Sequence, residues 1–272
     1  MPERPRARGL WSYFWVAALF QHLPLWFLVL LSFNDSRGLG LPFRGFTLRS
    51  YEQILASPSL LASFRTSVIV ALASSILAVA LGTVAALAIT RTRFPGRTAF
   101  TVAAIVPMVV PAIALAVSLL VTLVALGIPL GRSTVILGHT IVALPYVALL
   151  VAVRFAGLNK NLEEAAMDLG ATRWRIVRRV YLPMAGPAVV PAFLFALILS
   201  FDDFDLAYFL SGSDQTLPVY FFSGLRRPAL LPPVVALQSL VVMTATVAII
   251  CWELIRFRTA RQRTRRVEVE TS

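Results

Sequence analysis

Long apolar runs separated by short, arginine-bearing segments dominate the chain. Six of them, 11–32, 67–90, 99–126, 134–155, 187–210 and 234–255, have the length of a membrane crossing. A hydrocarbon core about 30 Å thick needs about 20 apolar residues in helix. The pattern therefore predicts an all-α polytopic membrane protein with six transmembrane helices. Arg4, Arg6 and Arg8 precede the first run as basic residues precede a secretory signal. Its apolar stretch is longer than a signal segment's and no small-residue cleavage site follows, so it reads as a retained helix.

Prolines interrupt several runs, at Pro107, Pro111, Pro145 and Pro191. Each removes a backbone donor and favours a kink, which membrane bundles tolerate because neighbours and water repair the loss. The four prolines read first as ordinary membrane-helix irregularity, with a pore-lining helix shaped by Pro107 and Pro111 as the sharper alternative. Between runs, 33–62 combines glycine and proline with a short amphipathic stretch near Tyr51, and 156–186 is rich in Ala, Glu and Arg and reads as helix.

Basic residues orient the whole. With the N-terminus in the cytoplasm, 18 Arg and Lys residues lie inside and seven outside, the asymmetry expected of cytoplasmic loops. Both termini are thus expected in the cytoplasm of a bacterial cell. The expected organisation is a cytoplasmic N-terminal tail at 1–10, a six-helix domain at 11–257 with a cytoplasmic loop at 156–186, and a basic tail at 258–272.

Composition supports lipid as the solvent: 58% of the 272 residues are hydrophobic and 14% charged, against roughly 25% charged in soluble domains. The formal net charge of +12 sits in short clusters between apolar runs, a topology pattern rather than a nucleic-acid footprint. One cysteine, Cys251, allows no intrachain disulfide, and His22 and His139 lie far apart. That leaves no metal-ligand spacing and no nucleophile–base pair for an intramembrane enzyme. The only lysine, Lys160, stands between Asn159 and Asn161, so the chain has no Gly-Lys-Ser or Gly-Lys-Thr phosphate loop.

The most informative polar stretch is 161–183, NLEEAAMDLGATRWRIVRRVYLP. Asn161 is placed to cap a helix whose third residue is Glu164, a capping-box arrangement. Glu163 and Glu164 suit the dipole of its first turn. Gly170 supplies the left-handed residue that ends it. Thr172 is placed to cap a second helix running through Val180, with Pro183 ending that one. Small side chains at Ala165 and Ala166 allow another protein's surface to approach closely. Three acids on the first helix disfavour a helix lying on anionic lipid.

The pattern Glu164-Ala165-Ala166, three residues, Gly170, nine residues, Val180, one residue, Leu182-Pro183 resembles the EAA loop of binding-protein-dependent ABC importer permeases. Val180 stands where that family usually has Ile. The resemblance implies a type I ABC importer transmembrane fold. It also implies that Glu163, Glu164, Ala165, Ala166, Gly170, Leu182 and Pro183 couple to a separate ATPase. The implied partners are a second, homologous permease, two ATP-binding cassette subunits that carry the ATP and Mg²⁺, and an extracytoplasmic solute-binding protein. No cofactor is expected on this chain.

A second polar cluster, Ser200-Phe201-Asp202-Asp203-Phe204-Asp205, lies near the end of the fifth run, about 22 Å of helix beyond Pro187. Carboxylates at that depth face water, a partner charge or a substrate. Asp202 and Asp205, three residues apart, are expected to share a helix face, with Asp203 pointing elsewhere. Phe201, Phe204 and Tyr208 add aromatic faces for an ammonium group, so Asp202, Asp203 and Asp205 with these three are the expected substrate pathway. The cluster, with Thr216-Leu217-Pro218-Val219-Tyr220 and with His139 before Pro145-Tyr146, resembles the spermidine and putrescine branch of the permeases. That branch commonly reads Pro-Glu-Ile-Asn-Ala where this chain has Pro232 followed by Pro233, Val234, Val235 and Ala236. The resemblance implies polyamine import, with another small solute (phosphonate, opine, thiamine or iron) as the alternative. An ion-gradient transporter would instead show an internal repeat with broken helices and midplane ligands.

Overall fold

The computed structural model describes residues 6–35, 41–159, 161–247 and 250–251. Arg4, Arg37, Gly38, Gly40, Lys160, residues 252–255 of the last expected crossing and the tail 258–272 lie outside the described residues. Among the described residues the structure is helical, apart from one isolated antiparallel bridge between Asn34 and Phe46.

The chain divides into two compact units, residues 62–222 and the two flanking segments 1–61 and 223–272. In the flanking unit, α1 (Arg6–Ser32) and α12 (Pro228–Val247) have the length and apolarity of crossings. Between them in sequence, α2 (Arg49–Leu55) follows a loop tied to the end of α1. There, Ser32 Oγ and Tyr51 Oη are 2.6 Å apart, and Asn34 Oδ1 accepts from Arg44 N–H at 2.8 Å.

The central unit contains most of α3 (Pro58–Arg91), then α4 (Arg97–Val109), α5 (Ala112–Ala125) and α6 (Arg132–Ala156). A helical turn, α7 (Asn161–Asp168), follows. The next long helix starts as α8 (Arg173–Ile176), passes through a π-helical turn (Val177–Tyr181) and continues as α9 (Leu182–Asp202). Two short helices, α10 (Asp205–Leu210) and α11 (Leu217–Gly224), come after it.

Small residues set the packing of α3, α6 and α9. Ala78, Ala86, Ala143, Ala185, Ala192 and Ala196 are buried in one cluster with Val147, Val151 and Phe155. Apolar side chains gain nothing by leaving lipid for protein, so close backbone approach has to supply the attraction. A Cβ on Gly82 would sit 2.8 Å from Val147 Cγ1 and 2.9 Å from its Cβ, so only glycine fits at that crossing. A second cluster joins Ala116, Leu123, Val135, Leu206, Leu210 and Val219, from α5, α6, α10 and α11.

Two expected crossings differ from the sequence pattern. The third run is not one helix: α4 and α5 meet at 109°. The break is at Pro111 and not at Pro107, which sits inside α4. Val110, forced away from helical angles by the following proline, is extended with φ −72° and ψ 132°. With 13 and 14 residues, each half is only about 20 Å long, short of the core thickness. Pro145 and Pro191, by contrast, lie inside unbroken helices.

The fifth run also departs. Its helix ends at Asp202 instead of Leu210. At the other end it begins at Arg173, so the 30 residues from Arg173 to Asp202 form one helix about 45 Å long, more than the hydrocarbon thickness.

Candidate functional site

Two polar regions of the central unit carry the sequence's candidate residues. The first is the turn between α7 and α8. Asn161 is not its cap but the first helical residue, and its N–H bonds to Asn159 Oδ1 at 3.0 Å. At the other end Gly170 has φ +76°. Its N–H bonds to Met167 carbonyl at 2.8 Å, and Ala171 N–H bonds to Ala166 carbonyl at 2.9 Å. This pair is a Schellman closure, with glycine where a side chain would be strained. Thr172 Oγ1 then accepts from Arg175 N–H at 3.4 Å and caps α8.

Pro183 does not end the second helix, as the sequence suggested; it lies near the start of α9, just after the π turn. A proline inside a helix lacks the donor for the carbonyl four residues earlier and crowds it. The wider π turn before it accommodates both effects without breaking the helix.

The turn presents Glu164, Ala165, Asp168, Leu169 and Gly170 outward, all exposed; Leu169 is 88% exposed and Trp174 71%. Glu163 and Ala166 face the other way and are half-buried. Ala166 packs on the α3–α6–α9 cluster. The Glu163 carboxylate accepts a short hydrogen bond from Tyr181 Oη, so of the two neighbouring glutamates one is bonded internally. Leu182 is exposed. Sequence reasoning missed Tyr181 and Arg91. The Arg91 guanidinium lies 5.4 Å from the Tyr181 ring centroid and donates to the carbonyls of Phe155 and, at 2.6 Å, Leu158.

The second region surrounds the aspartates. Because α9 stops at Asp202, Asp202 and Asp205 do not share a continuous helix face, contrary to the expectation. Asp203, extended at ψ 121°, turns its carboxylate onto the next helix. Its Oδ1 accepts from Leu206 N–H at 2.9 Å and from Ala207 N–H at 3.4 Å. The same oxygen is 3.4 Å from His139 Nε2. His139 is buried on α6, and its Nδ1 is 2.7 Å from Ser200 Oγ. Ser200 Oγ in turn accepts from Ser74 Oγ on α3 at 2.9 Å. Asp203 is therefore occupied in holding α9, α10 and α6 together.

Among the described residues, no hydrogen bond or ion pair engages the carboxylates of Asp202 and Asp205. Both line a cavity of about 420 Å³ with Asp203, Phe204 and, on α9, Phe195, Ile198 and Leu199. The Phe204 ring packs at a tilt against Tyr208 (5.3 Å between centroids) and Phe222 (4.9 Å). Phe201 instead meets Phe64 of α3, edge on, at 6.3 Å. Of the six expected pathway residues, the cavity gathers Asp202, Asp203, Phe204 and Asp205. Tyr208 adjoins it through Phe204, and Phe201 belongs to the contact with α3.

The family described as the binding-protein-dependent transport system inner membrane component matches residues 78–261. The spermidine/putrescine permease PotC of Haemophilus influenzae is 34% identical over 245 residues, covering 90% of this chain and 95% of PotC. The putrescine permease PotI of Escherichia coli K12 is 34% identical over 258 residues, covering 92% and 91%. Among solved structures, a chain of a bacterial alginate importer superposes with a TM-score of 0.70 at 18% identity, covering 94% of this chain and 99% of that one. A chain of the MetNI methionine transporter gives 0.55 at 19%, covering 78% and 97%.

Proposed function

The chain belongs to the family of binding-protein-dependent transport inner membrane components, and from that premise we propose that the importer it serves carries small linear polyamines. It is a permease subunit of an ABC importer and not an enzyme. In the proposed assembly it pairs with a homologous permease around a shared pathway. Two ATPase subunits, carrying ATP and Mg²⁺, dock on the α7–α8 turn, and a solute-binding protein delivers cargo from the opposite side. Both termini then lie on the ATPase side, as the basic residues favour.

The observation that carries the cargo reading is the division of labour among the three aspartates. Asp203 is taken up by backbone donors and by proximity to His139. Asp202 and Asp205 remain free to face a cation in a cavity walled by Phe204. Two carboxylates with an aromatic face suit an alkylammonium chain: the charges attract the amines, and the ring adds a cation–π contact. The full-length relatives that transport spermidine and putrescine support the same reading.

For coupling, the support is the exposed Glu164–Ala165–Leu169 face, stiffened by the Gly170 closure. Closure of the ATPases on ATP would shift the turn, and with it the equilibrium between two openings of the pathway. The shift is set by how differently the ATPases bind the two states.

The test is uptake of labelled putrescine and spermidine by the reconstituted assembly. Asp202→Asn with Asp205→Asn is expected to raise the polyamine concentration needed for half-maximal uptake while assembly stays intact. Unchanged polyamine uptake by that double variant removes the two carboxylates from the pathway.

A further inference from the structure

The turn is joined to the bundle by a chain of three side chains that the EAA pattern does not contain as a unit. Glu163 on α7 accepts from the Tyr181 hydroxyl in the π turn. Tyr181 is 5% exposed, and its ring lies edge on to Phe155 of α6, with centroids 5.9 Å apart. On the same ring sits the guanidinium of Arg91, the last residue of α3. Arg91 then bonds the carbonyls of Phe155 and Leu158, where α6 ends. Three long helices, α3, α6 and α8–α9, thus meet at Tyr181, and α7 reaches that meeting point through the Glu163 carboxylate and the packing of Ala166.

We propose that Glu163, Tyr181 and Arg91 are the positioning residues that carry displacement of the turn to the ends of α3 and α6. The proposal rests on the docking of ATPases at this turn. Glu164, next in sequence, is exposed and faces the partner, whereas Glu163 faces the bundle. The two glutamates therefore do different work: one receives the push and the other passes it on. Without the Glu163–Tyr181 bond, α7 can rock on its Ala166 contact while the long helices stay in place. ATP hydrolysis would then continue without proportionate transport.

The experiment compares uptake per ATP hydrolysed in the reconstituted assembly. Tyr181→Phe keeps the ring and removes only the hydroxyl, and Glu163→Ala removes the acceptor. Each is expected to lower uptake per ATP about tenfold, within the coupling that single residues along such a path carry. ATPase subunits should still co-purify in both. The double variant should be no worse than either single, since both break one bond. Glu163→Gln, whose amide oxygen still accepts from the hydroxyl, should restore most of the coupling. Wild-type coupling in Tyr181→Phe overturns the proposal. So does a Glu163→Gln variant as defective as Glu163→Ala, or loss of the ATPases from Glu163→Ala, because charge or docking would then be the cause. Glu164→Lys, purified in parallel, separates this from the wider reading. If it releases the ATPases while Tyr181→Phe behaves as wild type, docking stands and only the linkage falls.

Discussion

The α7–α8 turn and the aspartate cluster lie about 24 Å apart along α6, judged from Phe155 and His139, which belong one to each region. In both, adjacent acidic residues divide between inward and outward roles. Glu163 is bonded to Tyr181 while Glu164 is exposed. Asp203 is bonded to the start of α10 and faces His139, while Asp202 is exposed. The fastenings differ. The turn is held by one side chain-to-side chain bond, a glycine closure and an alanine contact. The aspartate region is held by backbone donors, a buried histidine and two buried serines. The turn has fewer fastenings than the aspartate region, the difference expected if the proposed docking contact moves while the proposed pathway keeps its shape.

Several substitutions would break or sharpen this contrast. The largest effect is expected for Glu164→Lys, which places a like charge or an unpaired one against any partner that suits a carboxylate. Such juxtaposition costs several kcal/mol, or about 100-fold or more in affinity. Uptake should fall to background while membrane content is unchanged; persistent ATP-driven uptake would count against docking at this face.

Next come two of the glycines with positive φ, Gly170 and Gly212. A Cβ on Gly212 (φ +54°) would meet Leu130 carbonyl oxygen at 2.6 Å, whereas one on Gly170 (φ +76°) meets nothing. Gly170→Ala is expected to cost about 1 kcal/mol of conformational strain. Gly212→Ala adds a backbone clash and should cost about 3 kcal/mol. Thermal unfolding of the purified protein reads both, and equal losses would mean that the aspartate region yields as readily as the turn.

Asp203→Ala removes an acceptor for two backbone donors and is expected to destabilise by about 1–2 kcal/mol. Asp202→Asn should change stability by less than about 0.5 kcal/mol. Similar losses in both variants would erase the distinction between bound and free aspartates. A local effect is expected for Thr172→Ala, about 0.5–1 kcal/mol from the lost cap, seen as fraying of α8 in hydrogen exchange without loss of the long helices.

Features held in contiguous sequence were legible in advance. Run length marked five long apolar helices among the described residues because lipid thickness imposes it, but not the fold-back within the third run. Gly170 and Thr172 marked the end of one helix and the start of the next because their chemistry is local. The prolines were not so readable: Pro107, Pro111, Pro145 and Pro191 are alike in sequence, yet α4 and α5 part only at Pro111. The end of α9 at Asp202 was hidden by the apolar residues of α10, which extend the run without extending the helix. A carboxylate three residues before Leu206 is a local capping signal that sequence reasoning could have used. Nothing local announces the Glu163–Tyr181 bond or the approach of Arg91, which join positions brought together only by packing.

The π turn at Val177–Tyr181 has a consequence for length as well as for Pro183. Each α-helical residue advances the azimuth by about 100° and the axis by 1.5 Å, so the number of α-helical residues between Gly170 and Pro183 fixes the compass bearing of the exposed Glu164 face. Deleting one residue from Val177–Tyr181 would turn the wide turn into an α turn with little change of azimuth, and would remove the room that Pro183 uses. A residue removed from Arg173–Ile176, where the winding is α-helical, would instead rotate the Glu164 face by about 100° about the helix axis.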